Sequence, residues 1–156
     1  MENKVSEYHL NEFISFRLMQ LSNQLNRQSV RILSKCSNLR LPEWRCLTVV
    51  SLNGPLQVGR IADTLSSDFG QVSKAVTALE KMNYVVTKRD TKDKRQVKVN
   101  ATAAGLEEFE KVMPILGARQ QLLRACVTSE EAEIVSSAIK KFREEVVNFE
   151  ATIDLI

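Results

Sequence analysis

Cations carry most of the chemistry this chain can offer. Lys81, Lys88, Arg89, Lys92, Lys94, Arg95 and Lys98 lie within one short stretch, opposed only by Asp90 and Asp93. That stretch has a net charge of +5, whereas the whole 156-residue chain carries +3. A segment more positive than the chain it belongs to points to a polyanionic partner, although a charge run alone can equally be a solvated face. Residues 128–156 are the counterweight, with seven acids against three bases. The three thiols, Cys36, Cys46 and Cys126, are odd in number and far apart, which fits neither a disulfide framework nor a metal site. Cys46 follows the inner side of a helical pattern and reads as a small buried hydrophobe. Cys36 and Cys126 are the redox candidates; a sensor thiol needs cationic neighbours, and Lys35 and Arg124 are adjacent in sequence only. His9 is the sole histidine, so no Cys-His or Ser-His-Asp arrangement can be assembled. No catalytic residue, cofactor or metal is expected.

These residues must be placed by regular structure. Five Gly and three Pro in the chain favour long elements, mostly helical, and a 44% hydrophobic, 26% charged composition is that of a soluble globular protein. No apolar run approaches the roughly 20 residues of a membrane span, and the first residues lack the pattern of a signal peptide, so a cytoplasmic protein is expected.

From residue 8 to 35 the spacing of Leu10, Phe13, Ile14, Leu18, Leu21, Leu25, Ile32 and Leu33 predicts one long amphipathic helix. Pro42 opens a second helix, over Trp44, Leu47 and Val50, and Asn53-Gly54-Pro55 stops it. Two short helices follow, Val58 to Leu65 and Phe69 to Asn83. Asp68 stands at the N-cap of the second, three residues before Gln71. Two short helices joined by a turn make a helix-turn-helix candidate. The β-rich runs Tyr84–Thr87 and Val97–Val99 then flank the polar basic segment 88–95, which predicts a hairpin. A helix-turn-helix followed by a cationic hairpin is a winged helix, a shape suited to a phosphate-lined groove. Thr102 restarts a helix with Leu106, Phe109, Val112, Met113 and Leu116 apolar, and Pro114 predicts a kink or break near Val112–Met113. Thr128 or Ser129 caps a last helix with Ile134, Val135, Ala138, Ile139, Phe142, Val146, Phe149 and Ile153 on one stripe.

The fold class expected is therefore mainly α with a small β-hairpin. A winged helix-turn-helix lobe occupies 41–100, and helical regions at 1–40 and 101–156 serve dimerisation. The terminal helices carry more apolar surface than a lobe of this size covers, so interleaving with a second copy is expected. Packing onto the chain's own lobe is the alternative.

The segments LPEWRCLTVVSLNGPLQVGRIADTL (41–65) and FGQVSKAVTALEKMNYVVTKRDTKDKRQVKVNATAAG (69–105) resemble the MarR family of bacterial transcription regulators. The shared pattern is a Trp/Arg helix, Gly-Pro, a Val-Ser-Lys recognition helix, Leu-Glu-Lys, a wing with Asp-x-Arg, and Thr-x-x-Gly. That resemblance implies a homodimeric repressor on a pseudo-palindromic operator of double-stranded DNA. The recognition helix would enter the major groove and the wing the minor groove. Its outward residues are Gly70, Gln71, Ser73, Lys74 and Thr77: Gln71 suits adenine, Lys74 guanine or phosphate, and Ser73 phosphate. In the wing, Arg95 resembles the family's minor-groove arginine, oriented by Asp93, with Lys92 and Lys94 on phosphates. Asn83 stands where the family usually ends the helix with Gly, and Gly70-Gln71 replaces a common Ser-Thr. Relatives often bind a small aromatic or phenolic effector, for which Arg17, Trp44 and Arg45 are candidate lining residues. The competing class is a winged-helix interaction or dimerisation module that does not bind DNA.

Overall fold

The computed structural model describes residues 9–89 and 97–153. After a short 3-10 turn at Leu10–Glu12, the chain forms α1 (Ile14–Cys36), α2 (Leu41–Asn53), α3 (Val58–Leu65) and α4 (Phe69–Lys81). The strands β1 (Val85–Arg89) and β2 (Val97–Ala101) come next, then α5 (Ala103–Ala125) and α6 (Ser129–Ile153). The class is mainly α with one antiparallel hairpin, as the sequence pattern predicts. The long first helix starts later than expected, because Phe13 is extended and caps α1 without a side-chain bond.

Local chemistry explains the boundaries. Pro42 sits in the first turn of α2, where the missing N–H costs nothing, and the Glu43 carboxylate accepts from the Arg40 backbone N–H at 2.6 Å. Gly54 ends α2 at φ +75, a conformation costly for any residue with a Cβ. Asp68 caps α4 by accepting from Gln71 N–H at 3.0 Å. Asn83 ends that region at φ +60, the left-handed geometry that Asn tolerates in place of Gly. Thr128 caps α6 in a reciprocal pair with Glu131, each side chain accepting from the other's backbone N–H.

Compact packing divides the chain into two units, one ending at Leu116 and the other beginning at Gly117. In the first, Leu33, Leu47, Val50, Ile61, Leu79, Val99 and Val112 are fully enclosed and form one core with Trp44, Val72, Val76 and Val85. The hairpin register pairs Val85 with Ala101 and Thr87 with Val99. Leu56 adds an antiparallel bridge to Val99, through two backbone bonds of 3.1 and 2.8 Å. This bridge ties the segment before α3 to the wing.

Pro114 does not break α5, which runs as one helix from Ala103 to Ala125. Its neighbours in the chain are solvent-facing, so water can satisfy the carbonyl that loses its partner. The buried face of α5 also differs from the expected stripe: Gly105, Glu108, Val112 and Leu116 point inward, while Leu106 and Met113 are exposed. In the second unit the α6 stripe lies open to solvent, Val146 at 67% and Phe149 at 57% exposure.

Candidate nucleic-acid interface

α4 is two-faced. Val72, Ala75, Val76 and Leu79 bury one side against α2 and α3, which holds the helix rigidly on the core. The opposite side presents Gly70, Gln71, Lys74 and Thr77 to solvent, with Ser73 half-buried at its edge. Thr77 donates its hydroxyl to the Ser73 carbonyl at 3.0 Å, so it has a partner within the helix before any ligand arrives. A Cβ built on Gly70 would stand 3.0 Å from the Asp68 Oδ1 that caps the helix, and a larger residue would crowd that cap. Five of the sequence-derived positions thus lie on one accessible helical surface.

The wing is held by bonds at its base. Tyr84 N–H donates to the Leu79 carbonyl at 2.9 Å, and Thr102 N–H donates to the Tyr84 carbonyl at 3.0 Å. Thr102 Oγ donates to the Asn83 carbonyl at 2.7 Å and accepts from Gly105 N–H at 3.0 Å, which also caps α5. A Cβ on Gly105 would lie 2.0 Å from the Tyr84 carbonyl oxygen, so no other residue fits there unless the backbone moves. The Thr102-x-x-Gly105 spacing is therefore the clasp that closes the hairpin. Thr87 further donates to the Glu80 carboxylate, linking β1 to the last turn of α4. Lys92, Asp93, Lys94 and Arg95 lie outside the described residues; the strand-borne cations Lys88 and Arg89 are exposed and Lys98 half-buried.

The three effector candidates differ in their surroundings. The Trp44 ring is buried and stacks on Phe109, centroids 5.8 Å apart and 14° from parallel. Arg45 donates to Asn26 Oδ1 at 2.6 Å and borders a cleft of about 50 Å³ that also touches Ser67 and Gln71. Arg17 is exposed, two to three turns from Asn26 along α1. Among the thiols, Cys46 is enclosed, and burial followed by the nearby Glu43 charge pushes it up to about 11, so it stays protonated. Cys36 is half-buried and donates to the Ile32 carbonyl at 3.2 Å; Cys126 is exposed and donates to the Leu123 carbonyl at 3.0 Å. No group of three or more His, Cys, Asp or Glu side chains suited to a metal ion occurs among the described residues. None of the described helices is long and apolar enough to cross a membrane.

One polar site was not anticipated. Glu108 is only 7% exposed, accepts from Ser37 Oγ at 2.5 Å and pairs with Lys111 at 3.0 Å. Ser37 Oγ in turn accepts from Leu39 N–H at 3.1 Å. Donating to the Glu108 carboxylate raises the Lys111 ammonium above its ordinary value. The network fastens the α1–α2 junction to α5, and so fixes where α2 begins. Its only trace in the sequence is an acid on what proves to be the inward face of α5.

Residues 39–97 match the model of the MarR family. The likeness to that family spans the segment from α2 to the first residue of β2. It is 27% identical over 96 residues to the HTH-type transcriptional regulator MgrA of Staphylococcus aureus, an alignment covering 62% of this chain and 65% of that one. The chain thus spans just under two thirds of the length of the curated relatives it matches. A MarR/EmrR family transcriptional regulator from Acinetobacter sp. ADP1 superposes with a TM-score of 0.84 at 25% identity, covering 90% of this chain and 99% of that one. The S. aureus MepR–DNA complex gives a TM-score of 0.76 at 18% identity, covering 85% and 98% respectively, a likeness of fold. The lobe between α2 and β2 is accordingly a winged helix of the MarR type.

Proposed function

We propose that the chain is a homodimeric transcription regulator that binds a pseudo-palindromic operator in duplex DNA and acts as a repressor. The observation that carries this reading is α4. It is anchored by four buried residues and turns Gln71, Lys74 and Thr77 outward beside a cationic hairpin. A helix fits the major groove, where Gln71 can pair bidentately with adenine and Lys74 can reach guanine N7 or O6. Ser73 takes a phosphate, and Gly70 lets the backbone approach. The wing carries Arg95 into the minor groove, with Asp93 orienting it and Lys92 and Lys94 on flanking phosphates.

Dimerisation belongs to the same reading. The helical regions 1–40 and 101–156 would set two 41–100 lobes about 34 Å apart, one helical turn of DNA. The open stripe of Ile134, Ile139, Val146 and Phe149 is apolar surface of the kind that a second copy covers. Release by a small aromatic or phenolic effector, or by oxidation at Cys36 or Cys126, rests on the family resemblance alone.

Gel-shift titration against the DNA upstream of the chain's own gene, with mixed-sequence duplex as competitor, tests the proposal. Specific binding should exceed non-specific binding by at least about a thousandfold. Arg95→Ala should weaken binding and flatten its salt dependence by about one phosphate. Equal affinity for both duplexes would remove operator recognition. Absence of binding to either would favour a protein-interaction module.

A further inference from the structure

Phe69 is the first residue of α4 and is 59% exposed, although phenylalanine is among the residue types most often enclosed. Other residues hold the helix. Val72, Ala75, Val76 and Leu79 anchor it on the core, and Asp68 caps it by accepting from the Gln71 N–H. Every other exposed residue of α4 is glycine, polar or charged. Side chains of a helix lean toward its N-terminus, so a ring in the first turn lies over the leading end of α4. In a helix-turn-helix that leading end is the part that meets base edges. Asp68, Gly70 and Gln71, the neighbours in the chain, are exposed too, and Gly70 has no side chain to stand between the ring and an incoming base. The major groove offers such a ring one apolar group, the C5 methyl of thymine.

We propose that Phe69 packs against a thymine C5 methyl group in the major groove and so makes sequence recognition partly apolar. The ligand class is the 5-methylpyrimidine edge of duplex DNA. The contact deepens the reading of the chain as an operator-binding regulator and rests on it. It reads a group to which Gln71 and Lys74 cannot hydrogen-bond, and it acts by removing a ring face and a methyl group from water together. Enclosing one methyl group corresponds to about a fourfold gain in affinity at each half-site.

The test uses the full-length chain and a duplex that it selects from a random-sequence library. Each thymine is replaced in turn, in both half-sites together, by deoxyuridine, which deletes the methyl group and keeps base pairing and backbone charge. At one position the parent should lose roughly tenfold in affinity. Phe69→Ala should lose about as much on the unaltered duplex, and nothing more when the methyl at that position is removed. Phe69→Leu should keep part of the discrimination. Both variants should retain the parent's melting temperature and its salt slope on mixed-sequence duplex, because the ring carries no charge. If Phe69→Ala still distinguishes thymine from uracil wherever the parent does, the methyl contact is wrong and operator recognition stands. A parent indifferent to every uracil replacement has the same meaning. A lowered melting temperature with equal affinity losses on all duplexes makes the ring structural, which also overturns the contact. If the parent selects no sequence at all, the contact and the operator-binding reading fall together.

Discussion

Between Leu39 and Leu116, apolar side chains from α2, α3, α4, the hairpin and α5 close on one another, while along α6 the same kinds of side chain lie open. Leu47 is fully enclosed and Val146 is 67% exposed, although each occupies an apolar position on a helical stripe. Periodicity alone does not separate the two cases, since a stripe says that a face will be covered and not by what. The winged-helix lobe finds its cover within one chain. α6 carries as strong a stripe and lacks cover within its own unit, which makes the lobe the self-sufficient part and the helical end the part with a need.

The comparison can be broken from the lobe side first. Gly105→Ala forces a methyl group into the Tyr84 carbonyl, so the clasp must open; a loss of about 3 kcal/mol or more is expected in urea unfolding. Wild-type stability in that variant would mean that the wing base is looser than the geometry implies. A paired truncation then sharpens the contrast. Leu47→Ala should cost about 3 kcal/mol at every protein concentration. Val146→Ala should cost under about 0.5 kcal/mol at high dilution and more as concentration rises, if a second copy covers α6. Equal, concentration-independent losses at the two sites would erase the distinction. The smallest effect concerns the start of α6. Backbone hydrogen bonding to Thr128, followed by the Thr128 hydroxyl bond, holds the Glu131 carboxyl below its ordinary value. A depressed carboxyl contributes stability above its unfolded value and loses it as pH falls through the folded one. The first turn of α6 should therefore loosen on acidification below the usual glutamate range, and Glu131→Gln should remove that slope from amide exchange at Ser129–Glu131.

Punctuation was the legible part of the fold. Pro42, Gly54, Asp68, Asn83, Thr102 and Thr128 act on their own few residues, and each marks a boundary that the structure keeps. The outward face of α4 was legible for the same reason, since a helix whose inner face is set by Val72, Val76 and Leu79 leaves no choice for Gln71 and Lys74. Contacts between distant residues left no such mark. Ser37 and Glu108 lie 71 positions apart, and nothing periodic connects them. The Leu56–Val99 bridge was hidden because one isolated pair is too short to alternate. Pro114 leaves α5 unbroken because a helix packed through Val112 and Leu116 can spare one hydrogen bond at an exposed position. The shift of the α5 inner stripe onto Gly105 and Glu108 follows from the clasp, which only the third dimension reveals.

That clasp has a consequence for how the chain can change. Because residues 84 and 102 are tied to each other and to both flanking helices, the wing is a loop whose two ends are already fixed. Seven residues join Arg89 to Val97. With the ends fixed, lengthening that connection is a matter of polymer closure, and doubling its length costs only about 0.6 kcal/mol. That connection can therefore vary in length at little cost to the core, while Thr102 and Gly105 tolerate almost no change. Reach is the adjustable quantity in this lobe, and attachment is the constant one.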